Sequence, residues 1–174
     1  GEEGVREGRE GGGGGPQREE RVRGFWLTMG MATVLGCDPN TTRPAITPSP
    51  GSLTAIIAED PGEAIGVLAQ RLKDDSIPLR RVEARDAWIE SPWFDSLGHV
   101  TTARPIGPDV IRLRAWADPA KVGSSTLTIE LSWRPYADPS IPDRELDRDV
   151  AATLPIAKRV GEVMAQLKKD YGGE

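Results

Sequence analysis

Two stretches in the second half of the chain alternate between hydrophobic and polar residues. Between 126 and 134, one face holds Leu127, Ile129, Leu131 and Trp133, and the other holds Thr128, Glu130, Ser132 and Arg134. Between 110 and 116, Ile111, Leu113 and Ala115 alternate in the same way with Arg112, Arg114 and Trp116. A period of two with one apolar face predicts strands of an antiparallel sheet that is buried on one side.

Two other stretches carry apolar residues at the three- and four-residue steps of a helix. The first begins at Asp60-Pro61, where aspartate suits the N-cap and proline the first turn, and it ends before Ser76. The second follows Thr153, the predicted cap, and ends at Gly172; its apolar stripe consists of Ile156, Val160, Val163, Met164, Leu167 and Tyr171. Such a stripe predicts a helix that covers one face of a sheet.

Three further segments complete the predicted fold. β-Branched and aromatic residues between 79 and 95 indicate two strands with a turn near Arg85-Asp86. Residues 53–58 are interpreted either as an edge strand or as the lead-in to the first helix, and 136–149 as a polar loop. We therefore predict an α+β fold, a two-layer sandwich in which two helices pack on one face of an antiparallel sheet of about three to five strands.

A different pattern occupies the region before this domain. Arg21 and Arg23 precede an uncharged apolar run of 12 residues from Phe25 to Gly36, and Cys37 follows it. A spanning helix needs roughly 20 apolar residues, whereas the apolar region of an export signal has about 7 to 15. The four residues Val34-Leu35-Gly36-Cys37 resemble the lipobox of bacterial lipoproteins.

The lipobox resemblance implies that the thiol of Cys37 receives a diacylglyceryl group. It also implies cleavage between Gly36 and Cys37, so that Cys37 begins a mature protein held on the membrane of the bacterial cell envelope by a lipid anchor, facing the periplasm or extracytoplasmic space. The alternative interpretation is a short buried helix with a buried free thiol.

Composition narrows the classes of partner. The chain has 22 basic and 27 acidic residues and one cysteine. A mildly acidic chain without a concentrated basic face argues against nucleic acid as a partner, and a single cysteine excludes an internal disulfide. Lipidation would occupy that cysteine.

These observations divide the chain into four parts. Residues 1–20 are rich in Gly, Glu and Arg and are predicted to be disordered and to precede the true start, for which Val22 is a candidate. Residues 21–36 are the predicted signal peptide, and 37–51 are a Pro- and Thr-rich tether that begins with the lipidated cysteine. Residues 52–174 form a single domain, to which residues 1–51 are expected to add no stability.

A second resemblance covers the predicted helix at 64–73 and the stretch from Leu79 to Asp95. This order of helix, strand, turn and strand ending near an aromatic residue resembles the helix-grip lipoprotein of the outer-membrane β-barrel assembly machine. The resemblance implies a helix-grip domain behind a lipidated cysteine and a flexible linker. The family has two such domains and this chain has one.

Residues that could support catalysis are few. His99 is the only histidine, with Asp95 four positions before it and Ser91 and Ser96 nearby. The glycine pattern of a nucleophile elbow does not surround either serine, and the chain offers no metal-ligand spacing. The acidic positions between 143 and 149 lack the glycine and closing glutamate of a calcium loop. We predict no catalytic residue, no metal and no cofactor.

The polar face of the predicted sheet is the candidate binding surface. Arg112, Arg114, Trp116 and Arg134 fall on the face away from the helices. Exposed Trp beside Arg is typical of interaction hot spots, so we predict that this open face binds an envelope protein or a cell-wall partner. The alternatives are that the loop at 95–108 partly covers this face, that Trp116 packs at the sheet edge, or that the chain is a periplasmic small-ligand-binding protein or an enzyme.

Overall fold

The computed structural model describes residues 43–172, and the predicted disordered segment, signal peptide and lipidated Cys37 lie outside this range. In chain order the elements are β1 (Leu53–Ile57), α1 (Pro61–Asp74), β2 (Arg81–Glu83), β3 (Trp88–Glu90), β4 (Phe94–Asp95), β5 (Gly107–Pro119), β6 (Ser125–Arg134), α2 (Asp143–Leu146), β7 (Arg148–Asp149) and α3 (Pro155–Tyr171).

All strands join one antiparallel sheet. The main order is β2-β3-β5-β6-β1, while β4 pairs with β5 and β7 pairs with β6. The α+β class is confirmed, but within residues 43–172 the sheet has seven strands rather than the three to five predicted. The additional strands β4 and β7 have only two residues each, too few to produce an alternating pattern.

The two long helices pack on one face of the sheet, here called the inner face, as predicted. Leu113 and Ile129 from the central strands share a single buried cluster with Leu68 of α1 and Val160 of α3. Pairing of Leu113 with Leu131 and of Ala115 with Ile129 keeps the apolar positions of β5 and β6 in register. The core therefore lies between the inner face and these helices.

The ends of the elements differ in detail from the prediction. Asp60 occupies the N-cap of α1 without a side-chain cap hydrogen bond, and Leu154 rather than Thr153 occupies the N-cap of α3. The segment 136–149 is not wholly a loop, because it contains the single turn α2 and the short strand β7. No helix within residues 43–172 has the length and apolar character required to span a bilayer.

The segment 43–51, here called the strap, contacts the domain instead of extending from it. Arg43 forms an ion pair of 2.6 Å with Asp118 at the end of β5. The backbone N–H of Ser49 donates to Glu130 Oε1 of β6 at 2.7 Å, and that of Gly51 donates to Asp149 Oδ2 at 2.9 Å. A Cβ on Gly51 would lie 2.8 Å from the Asp149 carboxyl carbon, so glycine permits this approach. The expected boundary at residue 52 therefore excludes residues that pack on the domain.

Removal of the strap should destabilise the domain, contrary to the expectation for a free tether. A fragment that begins at Ser52 loses two hydrogen bonds from the backbone to carboxylates that a fragment beginning at Arg43 retains. Discounted for partial exposure, these bonds contribute about 2 kcal/mol, which lowers Tm by roughly 5 to 10 °C in a domain of this size. Thermal unfolding of the two fragments measures the difference, and equal Tm values would contradict it.

A point variant isolates one of these contacts. Ser49 lies between Pro48 and Pro50, so Ser49→Pro suits the local backbone but removes the N–H that Glu130 accepts. Thr47→Pro is the matched control, because it preserves the Thr47 carbonyl that accepts from Arg144. Ser49→Pro should lower Tm more than Thr47→Pro does.

Candidate ligand-binding site

The face of the sheet opposite the helices, here called the outer face, is buried rather than open. Trp116 is 2% exposed, Arg112 7% and Arg134 5%. The strap and the segment 143–149 contribute the side chains and backbone groups that contact this face. The alternation placed Arg112, Arg114, Trp116 and Arg134 on the correct face, but the expectation that this face is open is wrong.

Three arginines of the outer face converge on one carboxylate of the segment between α2 and β7. Asp147 Oδ2 accepts from Arg112 at 2.9 Å and from Arg114 at 3.0 Å, while its Oδ1 accepts from Arg134 at 2.8 Å. The side chain of Asp147 is 5% exposed. Charged groups this deeply buried remain ionised only when they are paired, so Asp147 permits the burial of the three guanidinium groups.

Trp93 covers two of the same guanidinium groups. The ring centroid of Trp93 lies 4.5 Å from Cζ of Arg112 and 4.9 Å from Cζ of Arg134. At these distances the face of an indole ring attracts a cation. Trp93 thus adds cation–π stabilisation to the ion pairs.

A second acidic group on the outer face joins the sheet to both covering segments. Glu130 lies opposite Arg114 in the pairing of β5 with β6, and its carboxylate accepts two hydrogen bonds of 2.6 Å from Arg144 of α2. Arg144 also donates to the Thr47 carbonyl of the strap at 2.7 Å. Glu130 and Arg144 therefore tie the strap and α2 to the same point on the sheet.

Burial and pairing change the pKa of several of these groups. Burial, and next the charge of Arg114, lowers the pKa of Arg112 to about 10. The hydrogen bond from Arg134 lowers the pKa of Asp143, and the hydrogen bond to Glu130 raises that of Arg144. Because the pKa of Asp143 is lower in the folded state, its contribution to stability is complete above a pH of about 4 and is lost as the pH falls through the folded-state pKa.

A pocket of about 360 Å³ lies where the strap crosses the outer face. One wall consists of strap residues 44–47, and the opposite side consists of Arg81, Trp88, Glu90 and Arg114 from three strands. Asp143 and Arg144 of α2 complete its lining. Of the predicted partner-binding residues, only Arg114 lines this pocket; Arg112 and Arg134 belong to the network of ion pairs beside it.

The residues considered for catalysis are not arranged as a triad. The Asp95 carboxylate accepts from the backbone N–H groups of Leu97 and Gly98 rather than orienting His99. His99 lies with its ring edge-on to Phe94, at 5.9 Å between centroids, and the Ser91 hydroxyl donates to the Pro92 carbonyl. Between residues 43 and 172, His, Cys, Asp and Glu do not form a group of three or more that could hold a metal.

Sequence reasoning missed Trp88, Trp93, Glu130, Arg144 and Asp147 as parts of a site. The alternating acidic and basic residues between 143 and 149 fall in the segment predicted to be a polar loop, whereas its Asp143, Arg144 and Asp147 pair with charged residues of the sheet. A usable signal was present: three arginines on one sheet face require carboxylates if that face is covered.

The sequence matches neither a known family of proteins nor any curated protein.

The network of ion pairs should depend far more on Asp147 than on Arg112. Asp147→Asn leaves the buried Arg112 and Arg134 and the partly buried Arg114 without their shared anion and should cost about 3 to 5 kcal/mol of unfolding free energy. Arg112→Met should cost about 1 kcal/mol or less, because it removes a charge that burial disfavours and leaves Arg114 and Arg134 to pair with Asp147. Urea-induced unfolding at neutral pH measures the loss of unfolding free energy in each variant.

Asp143→Asn is the matched control. The Asp143 side chain is 68% exposed and pairs with Arg134 at the rim of the network. Exposed ion pairs contribute about 0 to 1 kcal/mol, so this variant should remain close to the native protein. Equal losses for Asp147→Asn and Asp143→Asn would show that the convergence of arginines on Asp147 is not important for stability.

Proposed function

We propose that this chain is a lipid-anchored, non-catalytic binding module of the bacterial cell envelope. The observation that carries the proposal is the order of residues between 21 and 37, with arginines, an apolar run and a lipobox-like tetrapeptide before the only cysteine. A thioether-linked diacylglyceryl group supplies two hydrocarbon chains, and stable anchoring requires about two such chains.

The covered sheet face and the pocket beside it favour a small ligand over a macromolecule as the partner of this domain. A macromolecule docking on the sheet would need an open face, and the strap and α2 already cover that face. The pocket beside the strap has a volume of about 360 Å³, within the range of about 300 to 1,000 Å³ for small-ligand sites. The small-ligand alternative is thus the better account of the binding role.

Two features support the non-catalytic part of the proposal. The carboxylate of Asp95 is engaged by backbone N–H groups, so it does not orient His99 as a general base. Apart from Arg81, the arginines and carboxylates at the pocket form ion pairs with one another, which suits a positioning role rather than proton transfer.

Metabolic labelling with a clickable fatty acid tests the anchor. The native protein should become labelled and should lose residues 1–36, and mass spectrometry should locate the lipid on Cys37. Cys37→Ala should abolish both labelling and cleavage, because the acceptor thiol is absent.

Gly36→Ala is the matched control, since it preserves a small residue before the cysteine and should leave labelling unchanged. An unlabelled native protein that retains the apolar run at 25–36 would reject the anchor.

A further inference from the structure

The pocket beside the strap carries enough chemistry to define a class of ligand. We infer that it binds a small apolar molecule that bears one carboxylate and one N–H donor. This inference deepens the proposed binding role and rests on it, but it does not depend on the lipid anchor.

The apolar walls of the pocket indicate that the ligand has an apolar body. Pro44, Ala45 and Ile46 of the strap face the pocket from one side, and Trp88 lines it from the sheet. Apolar walls with a few polar groups are typical of sites for small organic molecules. A ligand without an apolar body would leave these walls in contact with water.

The charges around the pocket indicate that the ligand carries a single negative charge. The network holds four arginines and four carboxylates, which balance one another: Arg112, Arg114, Arg134 and Arg144 against Glu90, Glu130, Asp143 and Asp147. Arg81 also lines the pocket, and within residues 43–172 no carboxylate forms an ion pair with it. One unbalanced guanidinium group favours a carboxylate, whereas a dianion would carry a charge that the site does not neutralise.

Glu90 indicates that the ligand has an N–H group that donates a hydrogen bond. Its Oε1 lies 3.6 Å from Arg114 Nε and 3.8 Å from the nearest nitrogen of Arg112, both longer than a hydrogen bond. Glu90 lines the pocket and its side chain is only 15% exposed. A buried carboxylate with free acceptor capacity favours a ligand that donates an N–H to it.

Trp88 provides a reporter within the site. Its indole N–H is buried and has no hydrogen-bond partner among the described residues. A ligand that fills the pocket changes the surroundings of this ring, so the Trp88 indole signal should shift on binding. That signal is identified in a two-dimensional NMR spectrum by its absence from Trp88→Phe.

N-acetyl-L-leucine has the required groups and serves as the probe. It is titrated into the full-length chain carrying Cys37→Ser, so that a failure of binding is distinguishable from a failure of acylation. We expect saturable shifts of the Trp88 indole signal with a millimolar Kd, as is usual for so small a ligand. N-acetyl-L-leucinamide, which lacks the negative charge, should bind at least about tenfold more weakly, as expected when a charge-assisted hydrogen bond is lost.

Two variants and a control locate the binding. Arg81→Gln should weaken binding of N-acetyl-L-leucine at least about tenfold without changing Tm, since Arg81 is exposed and forms no ion pair within the described part of the chain. Arg80→Gln is the matched control, because this exposed neighbour does not line the pocket and its loss changes the net charge equally. Ala45→Phe should fill the pocket and abolish the shifts.

Several results would overturn the inference. Equal affinity for N-acetyl-L-leucine and its amide would contradict it, as would tighter binding of the dianion benzyl phosphate than of N-acetyl-L-leucine. Equal effects of Arg81→Gln and Arg80→Gln on binding would also contradict it. So would the absence of a shift of the Trp88 signal at the highest soluble concentration of probe. If Ala45→Phe prevents folding, the comparison of Arg81→Gln with Arg80→Gln decides the outcome.

Discussion

The buried carboxylate of Asp147 is the constraint on which the outer half of this domain depends. Arg112, Arg114 and Arg134 lie on a sheet face that contacts protein instead of water, and each donates to Asp147 within 3.0 Å. If these three guanidinium groups had no anionic partner, the free energy required to remove them from water would be prohibitive. The position of the segment that carries Asp147 is therefore dictated by the strands, and the cover of the outer face follows from it.

The two faces of the sheet are buried by different means. On the inner face, α1 and α3 pack apolar side chains against β5 and β6 in the usual way. On the outer face, ion pairs, a tryptophan over two arginines and hydrogen bonds from the strap replace a helix layer. Such an arrangement fixes the positions of its parts more strictly than apolar contacts do, because each bond has its own geometry. It also leaves a pocket whose walls include both apolar and charged groups, which is the basis for the proposed binding role.

The inner half of the fold could be predicted from the sequence, and the outer half could not. Alternation through 126–134 assigned Leu127 and Ile129 to the core because a half-buried strand repeats every two residues, and the helix stripe beginning at Ile156 was found for the same kind of reason. The strap has no such pattern, since most of its contacts run between its backbone groups and side chains of the domain, and the two positions whose residue type matters, Arg43 and Gly51, form no repeating period. Polarity on the outer face was interpreted as exposure, because charged residues are rarely buried. Their partner Asp147 lies 35 residues beyond Arg112, too far for any local pattern to relate the two.

Amide hydrogen exchange at Ser49 tests most directly whether the strap covers the charged face or extends freely from the domain. In the structure this N–H donates to Glu130, a carboxylate that is itself buried against the sheet. Measured on the native protein at neutral pH, the Ser49 amide should exchange more slowly than the rate for an unstructured chain by about a hundredfold or more, and its protection should fall in Glu130→Gln. Exchange of Ser49 at the rate of an unstructured chain would contradict the account, because the strap would then be a free tether and the pocket beside it would not exist in solution.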